Sequence, residues 1–344
     1  MNVHYISSLI AVIILFLIAY VGVEAAGLQV LFGILIPYLA LLIFIIGFIY
    51  KVMNWARSPV PFRIPSTCGQ QKSLPWIKSA TFDNPSTGGG VLVRMILEIF
   101  LFRSLFRNTK CRLYDGPKLS YEWEKWLWLG AILFHYSFLT VFIRHFRFFL
   151  EPVPICLQWL EQVDGFLQLG VPGILLSGFA LLAAVTYLLL RRILIPQVRY
   201  ISLASDYFPL FLLIGVAVSG ILMRYISKVD IVGVKELTMG LVTFHPVIPK
   251  TVSGIFYVHL FFISIFVAYF PFSKLMHLGG IFMSPTRNLA NTNRAVHHVN
   301  PWNYPVKVHT YQEYEDDFRE KMIEAGLPVD KEIEDDSPPK EEKE

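Results

Sequence analysis

The chain has 344 residues, of which 54% are hydrophobic and only 16% are charged, whereas an average soluble domain has about 45 to 50% apolar and 25% charged residues. The mean hydropathy is +0.52 and the apolar residues lie in long runs, which excludes an ordinary soluble enzyme. The net charge of +4 is small, and the basic residues crowd segments between the runs, which indicates membrane topology rather than a nucleic-acid-binding surface.

Six apolar stretches approach the roughly 20 helical residues that a membrane crossing needs. The sequence therefore predicts an all-α integral membrane protein with about six transmembrane helices. No lysine or arginine precedes the first stretch, so we expect a retained helix rather than a cleaved signal peptide. The predicted stretches are 5–23, 28–50, 126–150, 170–190, 207–223 and 255–276.

The loops predict orientation and four successive regions. Residues 1–50 form an N-terminal transmembrane hairpin, 51–125 a basic loop, 126–277 a four-helix domain, and 278–344 a tail whose charged end has the composition of a disordered segment. The basic loop holds twelve lysines and arginines, and 191–200 holds three. By the positive-inside rule, both segments and both termini are cytoplasmic, so the protein is a multi-pass protein of the cell membrane.

Within the basic loop, the segment 91–110 is apolar but is interrupted by Arg94, Glu98, Arg103 and Arg107. At about 100° per residue these side chains can share one polar flank of a helix. The pattern predicts an amphipathic helix that lies in the membrane interface. A helix that docks against a partner protein is the alternative.

The three cysteines make neither a CxxC nor a CxxCH motif. This spacing argues against covalent c-type haem and against a four-cysteine iron–sulfur cluster held by this chain alone. Cys68, in the basic loop, cannot hold a cluster by itself.

Histidines inside the predicted spans carry the functional prediction. The third span contains His135 and His145, and the sixth contains His259 and His277. An ionisable side chain inside a bilayer is costly and is by default a functional hypothesis. Two neutral imidazoles from facing helices make a six-coordinate haem iron that transfers electrons. Two histidines on each of two helices therefore predict two b-type haems. The alternative is that each histidine only hydrogen-bonds a neighbouring helix.

The third and sixth spans run antiparallel, which predicts the pairing. His135 would pair with His277 near the cytoplasm, and His145 with His259 near the outer face. Ten residues rise roughly 15 Å and eighteen roughly 27 Å in a straight helix, so level pairs require tilted haems or a kink at Pro271. The interval of eighteen is five whole turns, which predicts one helical face for the two histidines of the sixth span.

Two arginines flank the outer histidine of the third span. Arg144 and Arg147 are candidates to pair with haem propionates or to line a quinol site. Anchoring of the helix at lipid headgroups is the alternative role.

The histidine intervals of ten and eighteen, with FPFSKLMH closing the second, resemble the nitrate reductase gamma-subunit family of dihaem cytochromes b, mainly over 126–277. The resemblance implies the same pairing of His135 with His277 and of His145 with His259. The additional N-terminal helix, the loop segment RSPVPFRIPSTCGQQKSLPWIKS and the segment IRHFRFFLEPVP are more similar to the membrane cytochrome b of the Dsr complex, also called Hme, of sulfate-reducing prokaryotes.

That closer likeness implies menaquinol oxidation near the outer face during sulfate or sulfite respiration. It also implies a cytoplasmic iron–sulfur partner that resembles the catalytic heterodisulfide reductase subunit, together with other membrane and extracytoplasmic subunits. The gamma subunit's quinol-site lysine has no counterpart that aligns here, so no quinone pocket is assigned. A quinone-reducing cytochrome b running the opposite way, and a non-redox membrane anchor or transporter, stay open as alternatives.

Overall fold

A computed structural model of the chain describes residues 4–58, 69–116, 118–166, 173–291 and 308–331. Within them, six helices are long and apolar enough to cross a membrane, which confirms the predicted all-α membrane fold. They are span 1 (His4–Glu24), span 2 (Leu31–Ala56), span 3 (Lys125–Phe148), span 4 (Leu176–Leu194), span 5 (Ala204–Tyr225) and span 6 (Gly254–Phe272).

Three of the spans are composite. Span 2 begins with a π-helical turn, Leu31–Leu35, before its α-helix, because Pro37 has no N–H to continue the regular ladder. Spans 3 and 6 end in 3-10 turns, Phe146–Phe148 and Phe270–Phe272. The α-helical parts of spans 2, 3 and 6 are Ile36–Ala56, Lys125–His145 and Gly254–Tyr269.

Shorter elements fill the connections. Strands β1 (Thr109–Tyr114) and β2 (Lys118–Trp123) form an antiparallel hairpin before span 3. The short helices are Gly88–Leu101, Arg103–Phe106, Ile155–Asp164, Pro196–Tyr200, Ile231–Val242, His277–Met283, Pro285–Asn288 and Tyr311–Glu324, with a 3-10 turn at Lys274–Met276.

The outward surfaces of spans 1 and 2 are apolar. Large side chains such as Ile10, Leu17 and Ile46 are exposed there. Water would solvate such a surface poorly, whereas lipid hydrocarbon does not penalise it, and a helix satisfies its own backbone hydrogen bonds. The surface chemistry thus agrees with the membrane fold.

The spans pack against one another in pairs. Spans 3, 4, 5 and 6 each pack against the next, and spans 1 and 2 pack against span 6. Val12, Leu212, Tyr257 and Phe262 belong to the buried core, which lies mainly among spans 1, 5 and 6. Spans 3 and 6 make little direct backbone contact with each other, so a gap between them is bridged by side chains alone.

Span 4 begins and ends later than predicted. The predicted stretch 170–190 stops before two arginines, but the helix runs Leu176–Leu194 and includes Arg191 and Arg192. Arg191 lies 3.3 Å from the carboxylate of Glu124 at the start of span 3. Because this partner offsets the charge, the helix continues past the point where hydropathy falls. The first residues of the predicted stretch lie outside the described part of the chain.

The end of span 6 was predicted wrongly. The stretch 255–276 is not one helix, because the α-helix ends at Tyr269 and two 3-10 turns follow. Pro271 lacks an N–H and cannot continue the α-helical ladder, and one extended residue then separates the two turns. His277 therefore begins a separate short helix, and it does not share a helical face with His259.

The amphipathic helix of the basic loop, here called the loop helix, spans Gly88–Leu101 and ends earlier than predicted. Arg94 and Glu98 are buried against the protein, whereas the apolar side chain of Phe100 is exposed. The Glu98 carboxylate accepts hydrogen bonds from the backbone and hydroxyl of Ser104. The charged flank thus faces inward and the apolar flank outward. Its place in the membrane interface stays a prediction.

The first part of the predicted tail is folded onto the basic loop. Residues of the short helix Pro285–Asn288 contact the loop helix, and the backbone N–H of Asn291 donates to Pro85 at 2.7 Å. Cys68 lies outside the described residues, as does the predicted disordered end, 330–344, apart from Asp330 and Lys331, whose backbone N–H groups donate to Glu315.

Residues 308–331 are described as a separate unit. Their helix, Tyr311–Glu324, buries Glu315, which accepts the backbone N–H groups of Asp330 and Lys331 at 3.0 Å each. These hydrogen bonds, first that of Asp330, hold the pKa of the Glu315 carboxyl below its ordinary value. The prediction of a polar tail did not anticipate this helix.

Candidate functional site

The pair His135 and His277, at the end of the spans that is predicted to face the cytoplasm and is here called the inner end, joins span 3 to the residue that follows span 6. The ring centres of His135 and His277 are 5.9 Å apart and their planes are inclined by 86°. The rings of Phe102 and Phe134 lie 4.9 Å and 5.0 Å from His135. An aromatic wall therefore surrounds this imidazole, while His277 is exposed.

The pair His145 and His259, at the opposite end, which is predicted to face outward and is here called the outer end, joins the last residue of the span 3 α-helix to the second turn of span 6. The ring centres of His145 and His259 are 6.4 Å apart with planes inclined by 21°. His259 is buried, and the ring of Phe148 lies 5.9 Å from His145. The structure thus brings the histidines together in the two predicted combinations.

The two pairs are separated along the gap between spans 3 and 6. His135 and His145 lie on one unbroken α-helix, so ten residues put roughly 15 Å between them. The rings of Phe138 and Phe266 meet between the pairs with centres 6.1 Å apart. The break after span 6 changes the direction of the chain. It lets His277 reach His135 although eighteen residues separate His277 from His259.

Hydrogen bonds fix which imidazole nitrogen is free. In His135, His145 and His277, Nδ1 lies 2.6–2.9 Å from the carbonyl oxygen of a residue three or four positions earlier. A carbonyl only accepts, so these Nδ1 atoms carry the hydrogen. Nδ1 of His259 lies 2.8 Å from the hydroxyl of Ser219. In each ring Nε2 is left with its lone pair, the arrangement typical of metal-binding histidines.

The spacing within each pair suits a shared iron. Two imidazoles on opposite sides of one metal ion, with bonds of about 2 Å and ring centres about 1.1 Å behind each nitrogen, have ring centres roughly 6 Å apart. The observed distances are 5.9 Å and 6.4 Å. Haem iron needs only two protein ligands, and the described residues contain no cluster of three or more metal-binding side chains. The residues present therefore fit two b-type haems.

A buried ion pair ties the outer ends of spans 3 and 4 together. Arg144 pairs with Asp164, the last residue of the outer helix Ile155–Asp164. Asp164 also accepts the backbone N–H and the hydroxyl of Ser177 at 2.7 Å and 2.6 Å. Arg144 thus has a structural partner, and its predicted role toward a propionate or quinol stays a prediction.

The second predicted arginine is more open. Arg147 pairs with Glu161 of the same outer helix, and about a third of each side chain is exposed. Its role toward a cofactor likewise stays a prediction.

A polar cavity of about 280 Å³ lies at the outer end, beside this second ion pair. The carboxylate of Glu161 lines this cavity. Arg224, at the end of span 5, also lines it, and its guanidinium Nη2 donates to the carbonyl oxygen of Gly173 at 3.4 Å. Its lining residues are Gln158, Glu161, Gln162, Gly165, Gly173, Leu175 and Arg224. Sequence reasoning assigned no such pocket. Three separate segments of the chain line the cavity. The signal in the sequence that could have indicated it is the set of polar residues at the ends of the apolar runs.

Sequence reasoning also missed a charge cluster at the inner end. Asp206 lies at the start of span 5 and is buried. It accepts a hydrogen bond from Lys274 at 2.6 Å and lies 3.7 Å from Arg192. Since the carbonyl of Lys274 accepts the Nδ1 hydrogen of His277, Asp206 helps hold the segment that carries this histidine.

Comparison with known proteins identifies relatives of the whole histidine-bearing region. The family model described as nitrate reductase gamma subunit matches residues 98–297. A protein of Archaeoglobus fulgidus named Hdr-like menaquinol oxidoreductase cytochrome b-like subunit is 51% identical over 280 residues, covering 79% of this chain and 83% of that protein. A protein of the same name from Archaeoglobus profundus is 45% identical over 274 residues, covering 78% and 81%.

A more distant similarity covers a shorter part of the chain. The respiratory nitrate reductase 1 gamma chain of Escherichia coli is 27% identical over 189 residues, which is 48% of this chain and 83% of that protein. The archaeal similarities therefore extend well beyond the part shared with the bacterial gamma chain.

Proposed function

This chain belongs to the nitrate reductase gamma subunit family, and we propose that it is a membrane cytochrome b subunit that holds two b-type haems and oxidises menaquinol near the outer face. The resemblance inferred from the histidine intervals is thereby confirmed. The observation that carries the proposal is the meeting of two histidine pairs across the gap between spans 3 and 6. The menaquinol oxidoreductase names of the archaeal relatives support the substrate.

The four imidazoles would hold the two haem irons. His135 and His277 would hold the inner haem, and His145 and His259 the outer haem, each through Nε2. When bound, the haems supply one-electron carriers in series between the two faces of the membrane. The protein's contribution is to fix each ring by its Nδ1 hydrogen bond, to keep the two sites apart and to exclude water with aromatic side chains.

The polar cavity is the proposed quinol site. Quinol gives up two electrons and two protons when it becomes quinone, so its site needs a proton acceptor beside the ring hydroxyl. Glu161 supplies the acceptor, and Arg147 keeps its carboxylate in place. The guanidinium of Arg224 would hydrogen-bond the second ring oxygen, and Glu161 would pass the first proton to water before it accepts the second. The positive-inside rule predicts that this end of the spans faces outward, so both protons would leave on the outer side.

The inner end would face the electron acceptor. Phe102, which follows the loop helix, contacts the ring of His135, so the folded basic loop covers the inner haem site. The positive-inside rule places this loop in the cytoplasm. The Hdr-like names of the relatives support membership of a menaquinol oxidoreductase complex with Hdr-like partners. That the partner is an iron–sulfur subunit resembling heterodisulfide reductase, that further membrane and extracytoplasmic subunits join it, and that the complex serves sulfate or sulfite respiration rest on the sequence resemblance alone.

The test is reduction of the haems in membranes by a menaquinol analogue, followed by visible spectroscopy and compared with reduction by dithionite. We expect the quinol to reduce both haems. Glu161→Gln should slow reduction by quinol at least tenfold without changing reduction by dithionite, because only the proton acceptor is lost. The control is Glu151→Gln, which removes another outer carboxylate that does not line the cavity. Haems reducible by dithionite but never by quinol would contradict the proposal.

A further inference from the structure

One of the four histidines is held by a different helix. Three of the rings bond through Nδ1 to a carbonyl of their own chain segment. Nδ1 of His259, on span 6, instead lies 2.8 Å from the hydroxyl of Ser219 on span 5. Both side chains are buried, with 7% and 4% of their surfaces exposed.

The direction of this hydrogen bond follows from the other contacts of the hydroxyl. Ser219 Oγ lies 2.7 Å from the carbonyl oxygen of Gly215, which can only accept. The single hydroxyl hydrogen is therefore used there, and the lone pairs of the oxygen face the imidazole. Nδ1 of His259 donates to Ser219, which forms a chain of hydrogen bonds that runs from the ring to the backbone of span 5.

Two glycines allow span 5 to come close enough for this contact. A Cβ atom at Gly215 would lie 2.8 Å from the ring of Phe262. A Cβ atom at Gly220 would lie 3.3 Å from Cε1 of His259. Small residues at such intervals let helices approach closely inside a membrane, so the sequence GVAVSG (215–220) builds both the approach and the hydrogen bond.

The surroundings of Ser219 strengthen the bond. The serine also borders an apolar groove of about 210 Å³ lined by side chains of spans 1, 5 and 6, among them Val12, Phe16 and Leu222. No other polar side chain lines this groove, and a hydrogen bond in such a low-dielectric setting is stronger than one in water.

We propose that Ser219 is a positioning residue for the outer haem, which orients the ring of His259 and sets the electron density on its ligating nitrogen. This inference rests on the proposed function. Accepting the Nδ1 hydrogen makes the imidazole a better electron donor, which favours ferric over ferrous iron and lowers the reduction potential of that haem alone. A side chain of span 5 would thus set the reduction potential of the outer haem. The histidines of the inner haem instead donate to backbone carbonyls, which no side-chain substitution removes.

The test compares Ser219→Ala with two controls in the purified full-length chain. Ser219→Thr keeps the hydroxyl. Ser264→Ala removes another buried serine, whose hydroxyl donates to the carbonyl of Leu260 on its own helix. The readouts are haem per chain and the midpoint potential of each haem in a visible redox titration. Ser219 Oγ also lies 3.1 Å from the carbonyl oxygen of Val216, so a backbone acceptor stays near the ring in the alanine variant, which is expected to keep its iron with a weaker Nδ1 bond.

We expect Ser219→Ala to raise the midpoint potential of one haem, the outer one, by up to about 59 mV. For one electron this equals about a tenfold change in the ratio of ferrous to ferric iron. The other potential and both controls should match the unmodified chain. Loss of one haem from the alanine variant, with both retained in the threonine variant, would also support the proposal. Unchanged potentials in Ser219→Ala, or the same shift in Ser264→Ala, would overturn it. Absence of haem from the unmodified chain would instead overturn the proposed function.

Discussion

Replacing Asp164 with alanine removes the carboxylate on which the outer ends of spans 3 and 4 converge. In the folded chain it binds Arg144 and accepts two hydrogen bonds from Ser177. Only 5% of the Asp164 side chain and 12% of the Arg144 side chain are exposed. The variant leaves a buried guanidinium without its counter-charge, so we expect a loss of about 3–5 kcal/mol in the free energy of unfolding.

Thermal unfolding of the detergent-solubilised chain measures this loss. A loss of that size lowers the Tm by roughly 4–7 °C for a chain of this length. The matched control is Glu161→Ala, which breaks the neighbouring pair with Arg147. About a third of each of these side chains is exposed, so solvent screens the pair and its loss should cost only about 0.2–1 kcal/mol.

A double variant separates charge burial from simple loss of packing. Arg144→Leu combined with Asp164→Leu removes both charges and keeps apolar volume, and replacing a buried ion pair in this way is often neutral. We expect the double variant to recover most of the Tm lost in Asp164→Ala. The reasoning is refuted if Asp164→Ala unfolds at the same temperature as the Glu161 control, or if the double variant is as unstable as the single one.

Three further results are expected. His135→Ala should bind one haem per chain instead of two in a pyridine haemochrome assay, because only the inner pair is broken; retention of both haems would reject the pairing. Gly33→Ala would put a Cβ atom 2.9 Å from the ring of the fully buried Tyr257, and thermal unfolding should show a loss of about 1–3 kcal/mol in stability. Gly178→Ala, which has nothing within 4 Å of its Cβ position, should unfold like the unmodified chain. The pKa of Glu315 is lowered in the folded state, so its contribution to stability is present above its unfolded pKa and is lost as pH falls through the folded value. The hydrogen-exchange protection factors of the backbone amides of Asp330 and Lys331, which donate to Glu315, should therefore fall in acid, and Glu315→Gln should abolish that dependence.

The spans and the histidine pairs could be predicted from the sequence because they depend on the length of the apolar runs and on the order of the helices. A membrane helix must satisfy its backbone internally and show apolar side chains to lipid, so the runs of apolar residues are visible without tertiary information. Antiparallel order then leaves one way to combine His135 and His145 with His259 and His277. The distances within the pairs agree with that reasoning, although ligation of haem stays a prediction.

The end of span 6 shows where local reasoning failed. The high hydropathy of residues 255–276 predicts one span with at most a kink at Pro271, whereas the α-helix ends at Tyr269 and two 3-10 turns follow. The same averaging stopped the predicted span 4 before Arg191, whose partner Glu124 lies far away in sequence. Interactions that depend on partners distant in sequence cannot be read from a window of neighbouring residues.

The contacts that tune the candidate site were also hidden from the sequence. Ser219 lies in an apolar run and looks like any small residue of a span. Its importance follows from the closeness of two helices at Gly215 and Gly220, which only the fold reveals. Likewise, the buried charges of Arg94 and Glu98 reverse the expected orientation of the loop helix, since their flank faces the protein instead of water.

The most direct measurement of the central claim is the haem content of the purified full-length chain, taken with its reduced-minus-oxidised visible spectrum. Two histidine pairs spaced for iron across the gap between spans 3 and 6 predict b-type bands and two haems per chain. A chain that is correctly folded in the membrane but shows no b-type bands would contradict the account.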